Sequence, residues 1–148
     1  MFVTLAPGFS NLEFLGMAGL TVAVGGWQVT ARALISDGID FEVSPTESVN
    51  DIGLLVGRSW LLNGMRLYAQ GGPVRANTVA RGAFLYKDDE AFRTEIYEKI
   101  QRQTLGLGVE AGVAWDGSNG GIGLALVGDL NTEVPMFGLA LTLRFGSL

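Results

Sequence analysis

The stretch Thr104-Leu-Gly-Leu-Gly-Val-Glu-Ala-Gly-Val-Ala-Trp115 divides into two alternating sets. One set is Leu105, Leu107, Val109, Ala111, Val113 and Trp115; the other is Thr104, Gly106, Gly108, Glu110, Gly112 and Ala114. A period of two places the sets on opposite faces of a β-strand, one face bulky and apolar, the other small or polar. The stretch 137–146 repeats the arrangement, with Phe137, Leu139, Leu141, Leu143 and Phe145 against Gly138, Ala140, Thr142, Arg144 and Gly146. Residues 18–25, 27–35, 51–57 and 121–126 follow the same rule, and 65–74 follow it less cleanly. Residues 2–5 read as a short or truncated first strand. The pattern predicts eight strands in one domain over residues 1–148.

The composition sharpens this reading. Of 148 residues, 22 are Gly, about twice the usual ~7% share. Apolar residues make up 48%, charged residues only 17%, and the formal net charge is -5. The chain has no Cys and no His, which excludes disulfides, thiolate zinc sites and His- or Cys-based catalysis. The negative charge argues against a nucleic-acid partner, and no cofactor or metal motif is present. Residues 14–31 carry no charge, but Gly25-Gly26 interrupts them and alternation continues on both sides, so a hairpin explains them better than a membrane helix.

A soluble barrel fills its lumen with bulky side chains and shows polar ones to water. Here the small and polar set cannot fill a core, and it lacks the Lys and Glu of a wetted surface. Bulky apolar residues outside and small or polar residues inside form the pattern of a transmembrane barrel. A soluble Gly-rich sandwich is the competing reading.

The connections alternate. Tight turns are expected at Gly25-Gly26, at 61–64 around Asn63-Gly64, and at 116–120; longer connections are expected at 7–14, 36–50, 76–102 and 131–135. The tight turns therefore share one side with both termini. Trp27, Trp60 and Trp115 all fall at that end, as interfacial tryptophans do.

Together these features make the chain similar to the small OmpA/OmpX-type outer-membrane β-barrels of Gram-negative bacteria. The resemblance covers nearly the whole chain. It implies an all-β, single antiparallel up-and-down eight-stranded transmembrane barrel in the bacterial outer membrane, its tight turns periplasmic. The final strand 137–145 looks like the signal read by the barrel-assembly machinery, although Gly-Ser-Leu148 follows where the family ends on an aromatic residue. Residues 1–7 lack the basic and apolar regions of a signal peptide, so one is expected to have been removed or lost by truncation. Phe137 and Phe145 join the tryptophans as expected interfacial aromatics.

Lumen charges are the candidate site. Arg32 and Glu110 each lie five residues from a tryptophan on the small-residue face, at similar expected heights. They are expected to pair across the lumen, with Gly106, Gly108 and Gly112 leaving room. Arg58, Arg66 and Arg144 are expected at the periplasmic rim. The loop 36–50 holds Asp37, Asp40, Glu42 and Glu47, a solvated acidic segment rather than a Ca²⁺ loop, since its spacing matches no EF-hand. Residues 76–102 read as either a short helix or an extended ribbon.

Some family members act on lipid A with a His general base, which this chain lacks. The leading expectation is a non-enzymatic structural or surface-interaction protein. It would sit in the lipid bilayer and meet an extracellular partner through loops 36–50 and 76–102. A narrow pore is the alternative, and a lipid-modifying enzyme the second.

Overall fold

The computed structural model describes residues 1–38, 43–88 and 94–146. Among them are nine strands: β1 (Phe2–Ser10), β2 (Glu13–Val24), β3 (Trp27–Asp37), β4 (Val43–Ser44), β5 (Ser48–Leu62), β6 (Met65–Asp88), β7 (Thr94–Asp116), β8 (Gly120–Leu130) and β9 (Met136–Gly146). Eight of them close an antiparallel ring in the order β1-β2-β3-β5-β6-β7-β8-β9, with β9 back on β1. The two-residue β4 stands outside the ring and pairs in parallel with Glu95 and Ile96 of β7. Closure leaves no free sheet edge in the barrel, the condition for strands to cross a bilayer.

Alternation fixes the register. On β3, Gln28, Thr30, Arg32 and Leu34 point into the lumen and are buried, while Trp27, Val29 and Ile35 are exposed. A one-residue slip would turn the polar set into lipid, so register is strongly specified. The exposed set continues around the ring through Leu20, Val56, Leu107, Leu124 and Leu141. An outer surface of this composition matches a hydrocarbon band rather than water.

Two tight turns are built as the sequence requires. Gly25 and Gly26 have φ of 58° and 83°, and Asn63 and Gly64 have 50° and 82°. Two successive residues with positive φ make the hairpin turn whose twist matches its strands.

Three expectations about boundaries need correction. The first strand is not short: β1 runs nine residues, through Pro7 to Ser10. Pro7 cannot donate a hydrogen bond, yet it lies within the strand. The ladder from β1 to β9 skips from Leu5 to Gly8 without changing register, so the missing N–H falls in a gap that the barrel tolerates. Consequently the first connection is the two residues Asn11 and Leu12, not the stretch 7–14. The connection within 36–50 is also shorter than expected, because β3 extends to Asp37 and β5 begins at Ser48.

The segment 76–102 is a ribbon, not a helix, over its described residues. β5 pairs with β6 only as far as Val79, and β8 pairs with β7 only as far as Leu107. Beyond those points β6 and β7 continue together to Asp88 and Thr94. At ~3.3 Å per residue, the part of β6 past Val79 adds about 30 Å beyond the barrel. Register shifts between Arg81 and Phe84 and between Phe84 and Tyr86 mark bulges in it. Residues 89–93 lie outside the described residues, as do Asp40 and Glu42 of the acidic loop.

Candidate functional site

The lumen is layered. At the end where the ribbon stands, Leu12, Leu15, Leu34, Val49, Val134 and Met136 pack into an apolar plug, all of them buried. The turn Asn11–Leu12 and the connection 131–135 contribute to it. The Asn131 carboxamide accepts hydrogen bonds from the backbone N–H of Glu133 and Val134 and donates to the Val134 carbonyl, which shapes that connection.

Beneath the plug is a charged layer. The Arg32 guanidinium donates from Nη2 to Asp51 Oδ2 at 2.7 Å, and neither side chain is exposed. Nη1 lies 3.4–3.5 Å from the carbonyls of Val109 and Gly128 and Nη2 3.4 Å from that of Gly128, while Nε has no partner among the described residues. Asp129, fully buried, completes this layer beside the pair. Gly108 makes room for the guanidinium: a Cβ there would stand 2.8 Å from Arg32 Nη2 and 2.5 Å from the Val74 side chain.

The next layer is a hydrogen-bonded chain that crosses from β2 to β7. The Tyr68 hydroxyl donates to Glu110 Oε1 and Gln70 Nε2 donates to Glu110 Oε2, both at 2.9 Å. Gln70 Oε1 accepts from Gln28 Nε2 and from the Thr30 hydroxyl, and the Thr30 and Thr21 hydroxyls lie 2.8 Å apart. Each carboxylate oxygen of Glu110 thus has a donor, which a buried charge requires. The cavity in this layer measures about 10 Å³, roughly the space of one water. At the tight-turn end the lumen opens beside Arg66, Asp116 and Arg144.

The expected pairing of Arg32 with Glu110 does not form. Arg32 bonds Asp51 on the neighbouring strand, and Glu110 is taken by Tyr68 and Gln70. The reason lies in reach. Asp51 is directly opposite Leu34 on the adjacent strand, diagonal to Arg32, and diagonal same-face neighbours meet more closely than groups across a barrel. Gly108 does leave room for Arg32, but Gly112 accommodates Tyr68, whose hydroxyl lies 2.6 Å from a Cβ placed there. Gly106 accommodates Asp129, with Oδ1 at 2.5 Å.

The other candidate residues sit as follows. Arg66 and Arg144 line the tight-turn mouth. Arg66 Nε donates to Asp116 Oδ2 at 2.6 Å, and Arg144 Nη1 lies 3.6 Å from Asp116 Oδ1. Arg58 is outside the barrel with its guanidinium 5.0 Å from the Trp27 ring centre. Trp27, Trp60 and Trp115 are each about half exposed, outward-facing and beside the tight turns. Phe137 and Phe145 also face outward, at opposite ends of β9.

Sequence reading missed Asp51, Asp129 and Tyr68 as partners. Asp51 falls on the small-residue face of 51–57, but the sequence does not show its neighbour in space. Asp129 continues the inward parity of Gly121, Gly123 and Ala125 beyond the expected strand end. Tyr68 and Gln70 lie in the segment that alternates least cleanly.

Above the barrel, the ribbon exposes Phe84, Leu85 and Tyr86, each more than half accessible. The Phe84 and Tyr97 rings meet edge to face, 5.4 Å between centres. The Tyr97 hydroxyl donates to Glu95 Oε2 at 3.1 Å, and that carboxylate pushes the phenol pKa upward. The Arg102–Glu133 ion pair, at 2.9 Å, ties the base of the ribbon to the connection 131–135, and Arg81 Nε donates to the Pro45 carbonyl.

No protein-family model matches this chain, and no curated protein matches it. Solved structures do. The crystal structure of Neisserial surface protein A aligns over 98% of this chain and 93% of its own, with a TM-score of 0.61 and 14% identity. The N-terminal β-barrel domain of Pseudomonas aeruginosa OprF aligns over 97% and 94%, with a TM-score of 0.63 and 14% identity. The fold is that of the small eight-stranded outer-membrane barrels.

Proposed function

We propose that this chain, with that barrel as its premise, is a non-enzymatic protein of the bacterial outer membrane that presents the β6–β7 ribbon to a partner outside the cell. One observation carries the reading. Between the ribbon end and the tight-turn mouth the barrel interior is filled by the apolar plug, the Arg32–Asp51 layer and the Glu110 network, whereas β6 and β7 alone run on past it. Filling the lumen forgoes transport. A ribbon of about 30 Å at ~3.3 Å per residue carries apolar side chains into water, where contiguous exposed apolar residues mark interaction sites.

The pore reading fares worse, because a cavity of about 10 Å³ cannot hold a hydrated ion. The barrel-assembly machinery remains the expected partner during insertion, and the lipid bilayer the permanent one.

Photo-crosslinking on intact cells tests this proposal. A benzoylphenylalanine at Tyr86 is expected to yield protein adducts, and the same group at lipid-facing Leu124 only lipid adducts. Planar bilayers containing the refolded protein are expected to stay silent. Discrete conductance steps, or a Tyr86 position that captures nothing and resists external trypsin, would overturn the reading.

A further inference from the structure

At the tight-turn end the lumen widens into a vestibule of about 310 Å³, lined by Phe2, Leu61, Arg66, Asp116, Ser118 and Arg144 among others. Among the described residues lining it, two guanidinium groups face one carboxylate. Arg66 holds Asp116 Oδ2 at 2.6 Å and reaches the Ser59 hydroxyl with Nη1 at 3.3 Å. Arg144 comes no closer than 3.6 Å to Asp116, beyond hydrogen-bond reach. Glu110, deeper in the lumen, has both oxygens committed to Tyr68 and Gln70.

Arg144 is the unusual group. It is 5% exposed, and its guanidinium sits 4.9 Å from the Phe2 ring centre and 4.6 Å from that of Tyr68. Its Nε and Nη1 are buried with no hydrogen-bond partner among the described residues. Aromatic faces stabilise the positive charge but leave Nε and Nη1 without acceptors. A guanidinium offers five such donors in a planar fork shaped for a carboxylate or phosphate. Gly121 keeps the row from Asp116 to Arg144 clear, since a Cβ there would fall 2.7 Å from Asp116 Oδ1.

We infer that this vestibule binds a small anion carrying a carboxylate or phosphate group, held by Arg144 and Arg66 and packed against Phe2 and Leu61. The volume is at the lower end of small-molecule sites, about 300–1,000 Å³, so the ligand is a small acid rather than a polypeptide. The unpaired guanidinium donors of Arg144 select an anion. The site opens at the end opposite the ribbon.

The test uses ¹⁵N-labelled protein refolded in maltoside micelles, whose headgroups carry no phosphate, at constant ionic strength. Sodium phosphate is titrated in one series and sodium acetate in another. Saturable shifts are expected at the Ser118 and Gly120 amides and at Arg144 Nε, with none along the ribbon. Arg144→Gln is expected to weaken binding about tenfold, as loss of a charge-assisted hydrogen bond does, whereas Arg102→Gln at the opposite end changes nothing. Saturation by acetate alone assigns a carboxylate ligand, and by phosphate alone a phosphate ligand. If Arg144→Gln does not refold, Arg66→Gln reads the same loss. Shifts that never saturate with either anion, or that persist unchanged in the arginine variant, would overturn the assignment.

Discussion

Glu110 and Glu95 lie on the same strand, β7, and both accept a hydrogen bond from a tyrosine. Glu110 accepts from Tyr68 at 2.9 Å inside the lumen, with Gln70 on its other oxygen and 6% of its surface exposed. Glu95 accepts from Tyr97 at 3.1 Å on the ribbon, in a partly exposed pair. Between them the strand loses β8, which pairs only from Leu107 onward, and keeps β6. The backbone ladder to β6 is common to both halves, so it cannot account for the difference. A second neighbouring strand and an enclosed interior make the polar groups of the lower half mutually dependent. In the upper half each group faces water and answers for little beyond itself.

The largest test of that contrast is the ion pair. Arg32→Ala or Asp51→Ala is expected to cost about 3–5 kcal/mol, because each leaves a buried charge without its partner. Urea unfolding in micelles measures the loss. A double-mutant cycle sharpens it: Arg32 and Asp51 should couple strongly, while Arg32 and Glu110, which share no bond, should be additive to within roughly 0.5 kcal/mol. Strong coupling of Arg32 to Glu110 would restore the pairing that the sequence suggests and the structure does not show. Tyr68→Phe comes next, at about 1–3 kcal/mol, since it strands one oxygen of the buried Glu110 without its donor.

These groups also show where sequence reading succeeds and stops. Alternation placed Gln28, Thr30, Arg32 and Glu110 on the inner face, because period two is a property of the backbone and needs no knowledge of neighbours. The turns at Gly25-Gly26 and Asn63-Gly64 were legible for the same local reason. Which inner residue touches which depends on register between strands, and that is not written within any one strand. Asp51 was on the correct face and still unassigned until the β3–β5 register set it diagonal to Arg32. The apolar plug was illegible for another reason. Alternation over 27–35 puts Leu34 on the inner face, but Leu15 and Met136 fall at strand ends outside the stretches that alternate. In the ribbon, Ile96 and Ile100 have the spacing of a helix, yet pairing of β7 with β6 from Thr94 to Trp115 outweighs it.

The smaller effects belong to the ribbon. The Arg102–Glu133 pair is 2.9 Å long, with the arginine side chain 59% exposed. Exposed pairs are worth about 0–1 kcal/mol, so Arg102→Ala should shift the urea midpoint only slightly, and less as salt rises. Replacing residues 82–98 by Asn-Gly should do least of all to the barrel. Arg81 pairs with Lys99 in the present register, so the two new residues would close a hairpin of the favoured length. None of the described side chains removed enters the plug, the charged layer or the Glu110 network. Barrel stability is therefore expected to change by no more than about 0.5 kcal/mol, the scale of an ordinary surface substitution. A barrel that failed to close without these residues would mean the ribbon helps to nucleate the β6–β7 hairpin, and the two halves of β7 would then form a single cooperative unit.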